Sequence, residues 1–566
     1  MNMRLIVLYS VLSLVLFTGC ERSRGTLPHP FPATSLDVQA ELLNRLQAHM
    51  DKMEEPMYWP ARLFEVSDST GYYGGIEGRV LLAWVLDGHL LRRNPVYAEP
   101  LLARMQERIN AQGYFGPVIS GGPLDERQVA GNASLLRGLS AFHGFTFLEP
   151  SRALADKNIR SIVQGLFLAH REAFLSQPGK APGWRPAPDS GVVYECLDGL
   201  TSAYAITRDT ALRSFLGHFA ERFLSIGEDL DGFQAYSVLT GMRGVLRFVE
   251  LTGEDACLPG VERLWSVVKK NGFGEFYGVH GHLGRYGEPV DPSAVSAAFL
   301  TAAALWRATG NPAYLEDAEL IYVNAFARSQ RPTGGLGDDH NPDAQDPYAR
   351  VVALELPYDG TPYGAEALDG VAAYGFCALR DTVFVPFLVN LEVSFALKGK
   401  TMKLRQTTDY PVKPSAVFEV AGPSDKEFVL QLPARSWHDA YKVIRNGVPV
   451  GDVPVRKGFL VVPGVRGGDR IEFGFRQSIR VTGPVNPETT TSRQFRLMYG
   501  SMVLCYNLPY EVTIARDTRI IPTSPGFFEI DTTYVEMIPR YGVFSRGADH
   551  SYPPQQILFD GTKIPK

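Results

Sequence analysis

Between Ser35 and Ala396 apolar residues recur at three- and four-residue steps, the spacing of buried helix faces. In Ser237–Leu251 the residues Val238, Leu239, Met242, Val245, Leu246 and Val249 fall on one side. Ile162–Phe174 and Ala294–Trp306 follow the same rule. These helices repeat. Asn94-Pro95-Val96-Tyr97-Ala98-Glu99 and Asn311-Pro312-Ala313-Tyr314-Leu315-Glu316 are near copies, and Arg208-Asp209-Thr210 and Thr252-Gly253-Glu254 are related openings. A polar residue followed by Pro is a helix start, because Pro lacks the N–H that a first turn leaves unpaired. Openings spaced roughly fifty to sixty residues apart suit one helical hairpin per repeat. About six hairpins fit between 35 and 396, which predicts an (α/α)6 toroid. After Leu397 the period changes to short β-type runs at Phe428–Leu432, Phe459–Val462, Ile471–Phe475 and Met498–Leu504, with turns at Asn446-Gly447 and Gly467-Gly468. The expected architecture is multidomain and mainly α: the toroid, a C-terminal β-sandwich over 397–508, and a mixed β/irregular extension over 509–566.

The N-terminus changes the picture. Leu5–Phe17 is an apolar run too short to span a bilayer, and Leu16-Phe17-Thr18-Gly19-Cys20 closes it like a bacterial lipobox. Residues 1–19 read as a lipoprotein signal peptide, Cys20 as the lipidated residue, and 20–34 as a tether. The expected location is a bacterial outer membrane or cell envelope, facing the periplasm or the surface. A net charge of −5 over 566 residues gives nucleic acid no basic face to bind. Four further cysteines, Cys196, Cys257, Cys377 and Cys505, are widely spaced and predict neither bridges nor a zinc finger.

Candidate chemistry concentrates in Asn271–Leu300, where Glu275, Tyr277, His280, His282, Arg285 and Glu288 lie in a Gly-rich loop before an Ala-rich helix. Loops carrying several ionisable groups between rigid helices are where scaffolds place function, although many are only connectors. Asp338-Asp339-His340 offers further carboxylates, or a capping or calcium-binding turn. Tyr72, Tyr73 and Glu77 stand in a Gly-rich segment that either lines a pocket or lets helices approach closely.

Three stretches resemble the glycoside hydrolase family 127 clan, the β-L-arabinofuranosidase-like enzymes: Tyr236–Gly253, Gly272–Tyr277 through Glu288, and Leu430–Phe475. The resemblance covers about 40–510. It implies a glutamate acid/base at Glu275, a metal-binding glutamate at Glu288, and a thiolate nucleophile on a zinc held by three cysteines. Here Pro289 and Val290 follow Glu288 where the family has Thr and Cys, and Cys377 alone represents the later cysteine pair. Gln234 and Tyr236 stand where the family has histidines. One thiol and one carboxylate do not make a closed tetrahedral site unless His280 and His282 are recruited to it, so no cofactor is expected, with zinc as the alternative.

The reading is therefore carboxylate chemistry: an exported glycosidase releasing an arabinofuranoside-like or other unusual pentose or deoxy sugar from oligosaccharides. Glu275 is the acid and Glu288 its partner, with Asp338 or Asp339 as rivals and Cys377 as either nucleophile or core. Tyr72, Gln234, Tyr236, Tyr277, His280, His282, Asp338 and Asp339 are the expected sugar contacts. Two alternatives stand beside it. One is a toroid polysaccharide lyase using His280, His282, Tyr277 and Arg285; the other is a glycan-binding lipoprotein without catalysis.

Overall fold

The computed structural model describes residues 27–146, 148–176, 183–506, 520–524, 527–530, 536–539 and 554–560. The signal segment and Cys20 lie outside the described residues. Six inner helices form a ring: α1 (Gly75–Leu91), α2 (Glu126–Phe145), α3 (Cys196–Thr207), α4 (Ala235–Thr252), α5 (Pro292–Thr309) and α6 (Gly364–Ala373). Each packs on the next, and α6 packs back on α1. The openings read from the sequence start the outer helices Ala98–Met105, Thr210–Leu224, Leu258–Gly272 and Ala313–Ile321. Asp209 caps one of them by accepting the backbone N–H groups of Ala211 and Leu212. The helix Ala40–Met53 contacts both α1 and α6, so the outer layer of the last hairpin comes from the start of the chain.

Inner and outer helices bury different amounts of surface. Leu258–Gly272 hides one stripe, including Val261, Leu264, Trp265 and Val268, and leaves Lys269 and Lys270 outside. In α4 the apolar stripe is buried as expected, but Tyr236, Ser237, Thr240 and Arg243 on its other side are buried too. Close approach in the inner ring depends on glycine. A Cβ on Gly78 of α1 would lie 2.3 Å from the carbonyl oxygen of Ser134, and one on Gly138 of α2 would lie 2.4 Å from that of Gly78. Ile162–Phe174 is not one helix: Glu149–Ile162 passes into the wide turn Val163–Leu168 before Arg171–Ser176.

Two sheets form the sandwich. One runs in the order 29–30, 377–379, 382–384, 427–433, 459–466, 455–456. The other runs 448–449, 438–445, 470–477, 415–421, 400–408, 391–397, 36–38. Lys400–Thr408 alternates exposed and buried residues, the period of a strand with one face in the core. Asn446 and Gly447 both have positive φ, 53° and 78°, as the predicted tight turn requires. The strand at 29–30 draws part of the expected tether into the sandwich, and the strand at 36–38, expected within the toroid, joins its other sheet. Met498–Leu504 is a hairpin rather than one strand, because the chain turns at Gly500 between Gln494–Tyr499 and Met502–Cys505. These two strands belong to a third sheet that docks on the toroid, where Asn324 donates to the Ser501 carbonyl at 2.8 Å and accepts from Val503 N–H at 2.7 Å. Among the described residues no helix is long and apolar enough to cross a membrane.

Candidate active site at the N-terminal mouth of the toroid

A buried ion network spans the centre of the ring. Asp198 of α3 lies 2.8 Å from Arg137 of α2 and 2.9 Å from Arg243 of α4, and Glu366 of α6 lies 2.7 Å from Arg243. Arg137 also pairs with Glu366, and Arg247 with Asp198. Burial alone would raise the Asp198 carboxyl, but Arg137, Arg247 and Arg243 together hold it down at about 2. The network separates the two mouths of the toroid.

At the mouth formed by helix N-termini, polar groups from four segments converge. Glu195 immediately precedes α3, is 5% exposed, and meets the Ser237 hydroxyl at 2.8 Å through Oε1. Its Oε2 is buried without a hydrogen-bond partner. Burial pushes the Glu195 carboxyl up, with the Arg79 cation opposing part of that rise. The same Ser237 hydroxyl lies 2.5 Å from the Gln234 side-chain amide, so it bridges Glu195 and Gln234. Arg79 of α1 lies 5.2 Å over the ring of Tyr363, which packs on Tyr236 at 4.5 Å between centroids. Burial and the nearby charges of Glu195 and Asp189 raise the half-buried Tyr72 phenol, which places it within their field.

The loop after Asn271 closes one side. Backbone bonds between Ala235 and Gly281 and between Leu283 and Phe233 fasten it to the start of α4. This sets His282 between two carboxylates, with Nδ1 2.8 Å from Glu288 Oε2 and Nε2 3.1 Å from Asp189 Oδ1. Asp189 and Glu288 are both half-exposed here.

Of the residues singled out in the sequence, Tyr72, Gln234, Tyr236, His282 and Glu288 gather at this mouth, with exposed Arg285 3.5 Å from Glu288 at its edge. Glu275 is completely buried: its carboxylate accepts the N–H groups of Val485 and Asn486, each at 2.9 Å, and lies 3.4 Å from Arg496. Both oxygens are committed to the third-sheet region, whereas the sequence reading makes this residue the acid. Tyr277 lies under the Arg496 guanidinium, 5.1 Å from its ring centre. His280 is buried, with Nδ1 against the Glu288 carbonyl at 2.9 Å and Nε2 against the Asn341 amide at 3.2 Å, so it is a structural histidine rather than a sugar contact. Asp339 pairs with buried Arg331 at 2.9 Å, and Asp338 accepts the Ala353 N–H at 2.5 Å; both pin a hairpin. Glu77 faces outward to a pocket shared with Ser67 and Phe115. Cys377 is fully buried in a strand and burial raises its thiol far up, which leaves it core rather than nucleophile.

Sequence reading missed Glu195, Arg79, Asp189 and Tyr363. The available signal was positional: Tyr194-Glu195-Cys196 opens an inner helix, as Gln234 does for α4. Among the described residues no disulfide joins Cys196, Cys257, Cys377 or Cys505, and no three His, Cys, Asp or Glu side chains converge to hold a metal. Among the described residues the donor set does not fit a zinc.

A ring of six helix hairpins with a polar axial site, followed by a sandwich, defines an (α/α)6 toroid with a C-terminal β-sandwich. The β-L-arabinofuranosidase, GH127 middle domain matches residues 382–476. A GH127 β-arabinofuranosidase structure superposes with a TM-score of 0.72 at 14% identity, over 94% of this chain and 98% of that one. A GH127 β-L-arabinofuranosidase from Geobacillus stearothermophilus T6 superposes at 0.69 and 14% identity, over 93% and 100%. No curated protein matches by sequence. The chain shares its fold with these GH127 structures along nearly its whole length, and residues 382–476 are similar to that family's middle domain.

Proposed function

We propose that this chain is an exported, lipid-anchored glycoside hydrolase that releases a terminal arabinofuranoside-like or related pentose or deoxy sugar from oligosaccharides. The observation that carries the reading is Glu195: a buried carboxyl at the axial mouth, raised by burial, with one oxygen free and Arg79, Tyr236 and Tyr363 around it. A carboxyl whose affinity for its proton is raised by burial is suited to donate that proton to the leaving glycosidic oxygen. Asp189, oriented by His282 and Glu288, supplies the second carboxylate that attacks the sugar or activates water. Tyr72 and Gln234 line the sugar position. In this reading Glu195 takes the acid role that resemblance gave to Glu275, because Glu275 has no free oxygen.

The names of the superposing arabinofuranosidases support the sugar class, and Leu5–Cys20 supports export and anchoring. The test is hydrolysis of 4-nitrophenyl glycosides of L-arabinofuranose and other pentoses and deoxy sugars, and of natural oligosaccharides. Glu195→Gln is expected to lower kcat by about 10²–10⁴-fold with the fold intact. Wild-type rates in Glu195→Gln overturn the assignment of the acid. Binding without turnover across the panel overturns the enzyme reading in favour of a glycan-binding protein.

A further inference from the structure

The opposite mouth of the toroid holds a cavity of about 610 Å³ between the C-terminal halves of the inner helices. Arg137, Arg243 and Glu366 of the axial network line it, so the ions that floor the candidate active site also floor this cavity from the other side. The volume lies inside the range of small-molecule sites, about 300–1,000 Å³. Leu82, Leu86, Leu300 and Ala304 give it an apolar wall.

Most of its charged groups are ion-paired, Arg307 with Glu250 among them, but two polar groups are not. No hydrogen bond or ion pair from the described residues reaches the Asp369 carboxyl, which burial and then the neighbouring charges of Asp87 and Glu366 raise to about 7. The buried Tyr374 phenol lacks a protein partner in the same sense. Arg247 and Arg307 present guanidinium groups 35% and 17% exposed. Four arginines and four carboxylates line the cavity, so neither a cation nor an anion meets a field of one sign. Mixed donors and acceptors against an apolar wall suit a neutral, polyhydroxylated ligand, whose hydroxyls both give and take hydrogen bonds while its C–H faces pack.

We propose that this cavity is a second saccharide-binding site, with Asp369 and Tyr374 binding sugar hydroxyls and Arg247 and Arg307 flanking them. The proposal does not depend on which chemistry the other mouth performs. Two variants of the full folded chain test it: Asp369→Asn, which neutralises a carboxyl without a protein partner, and Ala304→Trp, which fills the apolar wall. The probes are neutral di- to tetrasaccharides of arabinose, xylose, galactose and glucose, with glucose 6-phosphate as an anionic control. Binding is followed by calorimetry and by saturation-transfer NMR. At least one neutral probe is expected to bind with a component that survives Tyr72→Ala at the other mouth and weakens tenfold or more in either cavity variant. The proposal fails if no neutral probe shows that component. It also fails if all binding is lost in Tyr72→Ala alone, or if only the phosphate responds to the cavity variants.

Discussion

Glu275→Gln separates an anchoring carboxylate from a catalytic one. In the native fold one carboxylate accepts two backbone N–H bonds, from Val485 and Asn486, and faces Arg496, whose side chain is 4% exposed. The amide keeps one acceptor oxygen and turns an NH₂ toward the other N–H, so one charge-assisted bond becomes a donor–donor contact. Losing a hydrogen bond to a charged group costs about 1.5–3 kcal/mol. Leaving Arg496 without its counter-charge tends toward the cost of breaking a buried pair, roughly 3–5 kcal/mol. Two features reduce that sum. Arg496 keeps the carbonyls of Glu275 at 2.8 Å and Gly483 at 3.1 Å, and burial already penalises the ionised Glu275. A net loss of about 3 kcal/mol follows, concentrated where the third sheet meets the toroid. Hydrogen exchange followed by mass spectrometry reads this locally. Amides of Gln494–Tyr499 are expected to exchange about a hundredfold faster, since each 1.4 kcal/mol is a factor of ten. Unchanged protection together with abolished sugar release refutes the anchoring argument and returns Glu275 to the chemistry.

Three further outcomes test other parts of the structure. Because burial raises Glu195 and Arg79 opposes that rise, Arg79→Met is expected to move the alkaline limb of the kcat/KM profile to higher pH; an unmoved limb dissociates Glu195 from the proton transfer. Asp198, held at about 2, contributes stability that is complete above its unfolded value near 4 and lost as pH falls through 2, amounting to about 2 kcal/mol; acid unfolding of Asp198→Asn measured over that window is expected to be correspondingly flatter. Gly78→Ala forces a Cβ onto the Ser134 carbonyl, and a loss of about 1–3 kcal/mol in chemical denaturation is expected; an unchanged midpoint means that α1 and α2 slide apart freely.

Local order along the chain determined much of the architecture. Helical periodicity and repeated outer-helix openings were enough to expect six hairpins, because a stripe recurring every three to four residues buries itself in only one way on a helix. The change to period two after Leu397 and the Asn446-Gly447 turn announced the sandwich for the same reason. Ring closure was not legible: that Ala40–Met53 supplies the last outer helix, and that residues 29–38 join the sheets, depends on contacts hundreds of residues apart. The site followed the same division. Pattern and resemblance singled out the 271–300 loop, and His282 and Glu288 from it do reach the axial mouth. Only the tertiary fold decided that Glu275, thirteen residues before Glu288, turns away to hold Val485 and Asn486, while Glu195 from a different hairpin takes the axis. The reason is physical. Periodicity reports which residues leave water, but whether a buried carboxylate is satisfied or left with a free oxygen depends on partners that the chain brings up from elsewhere.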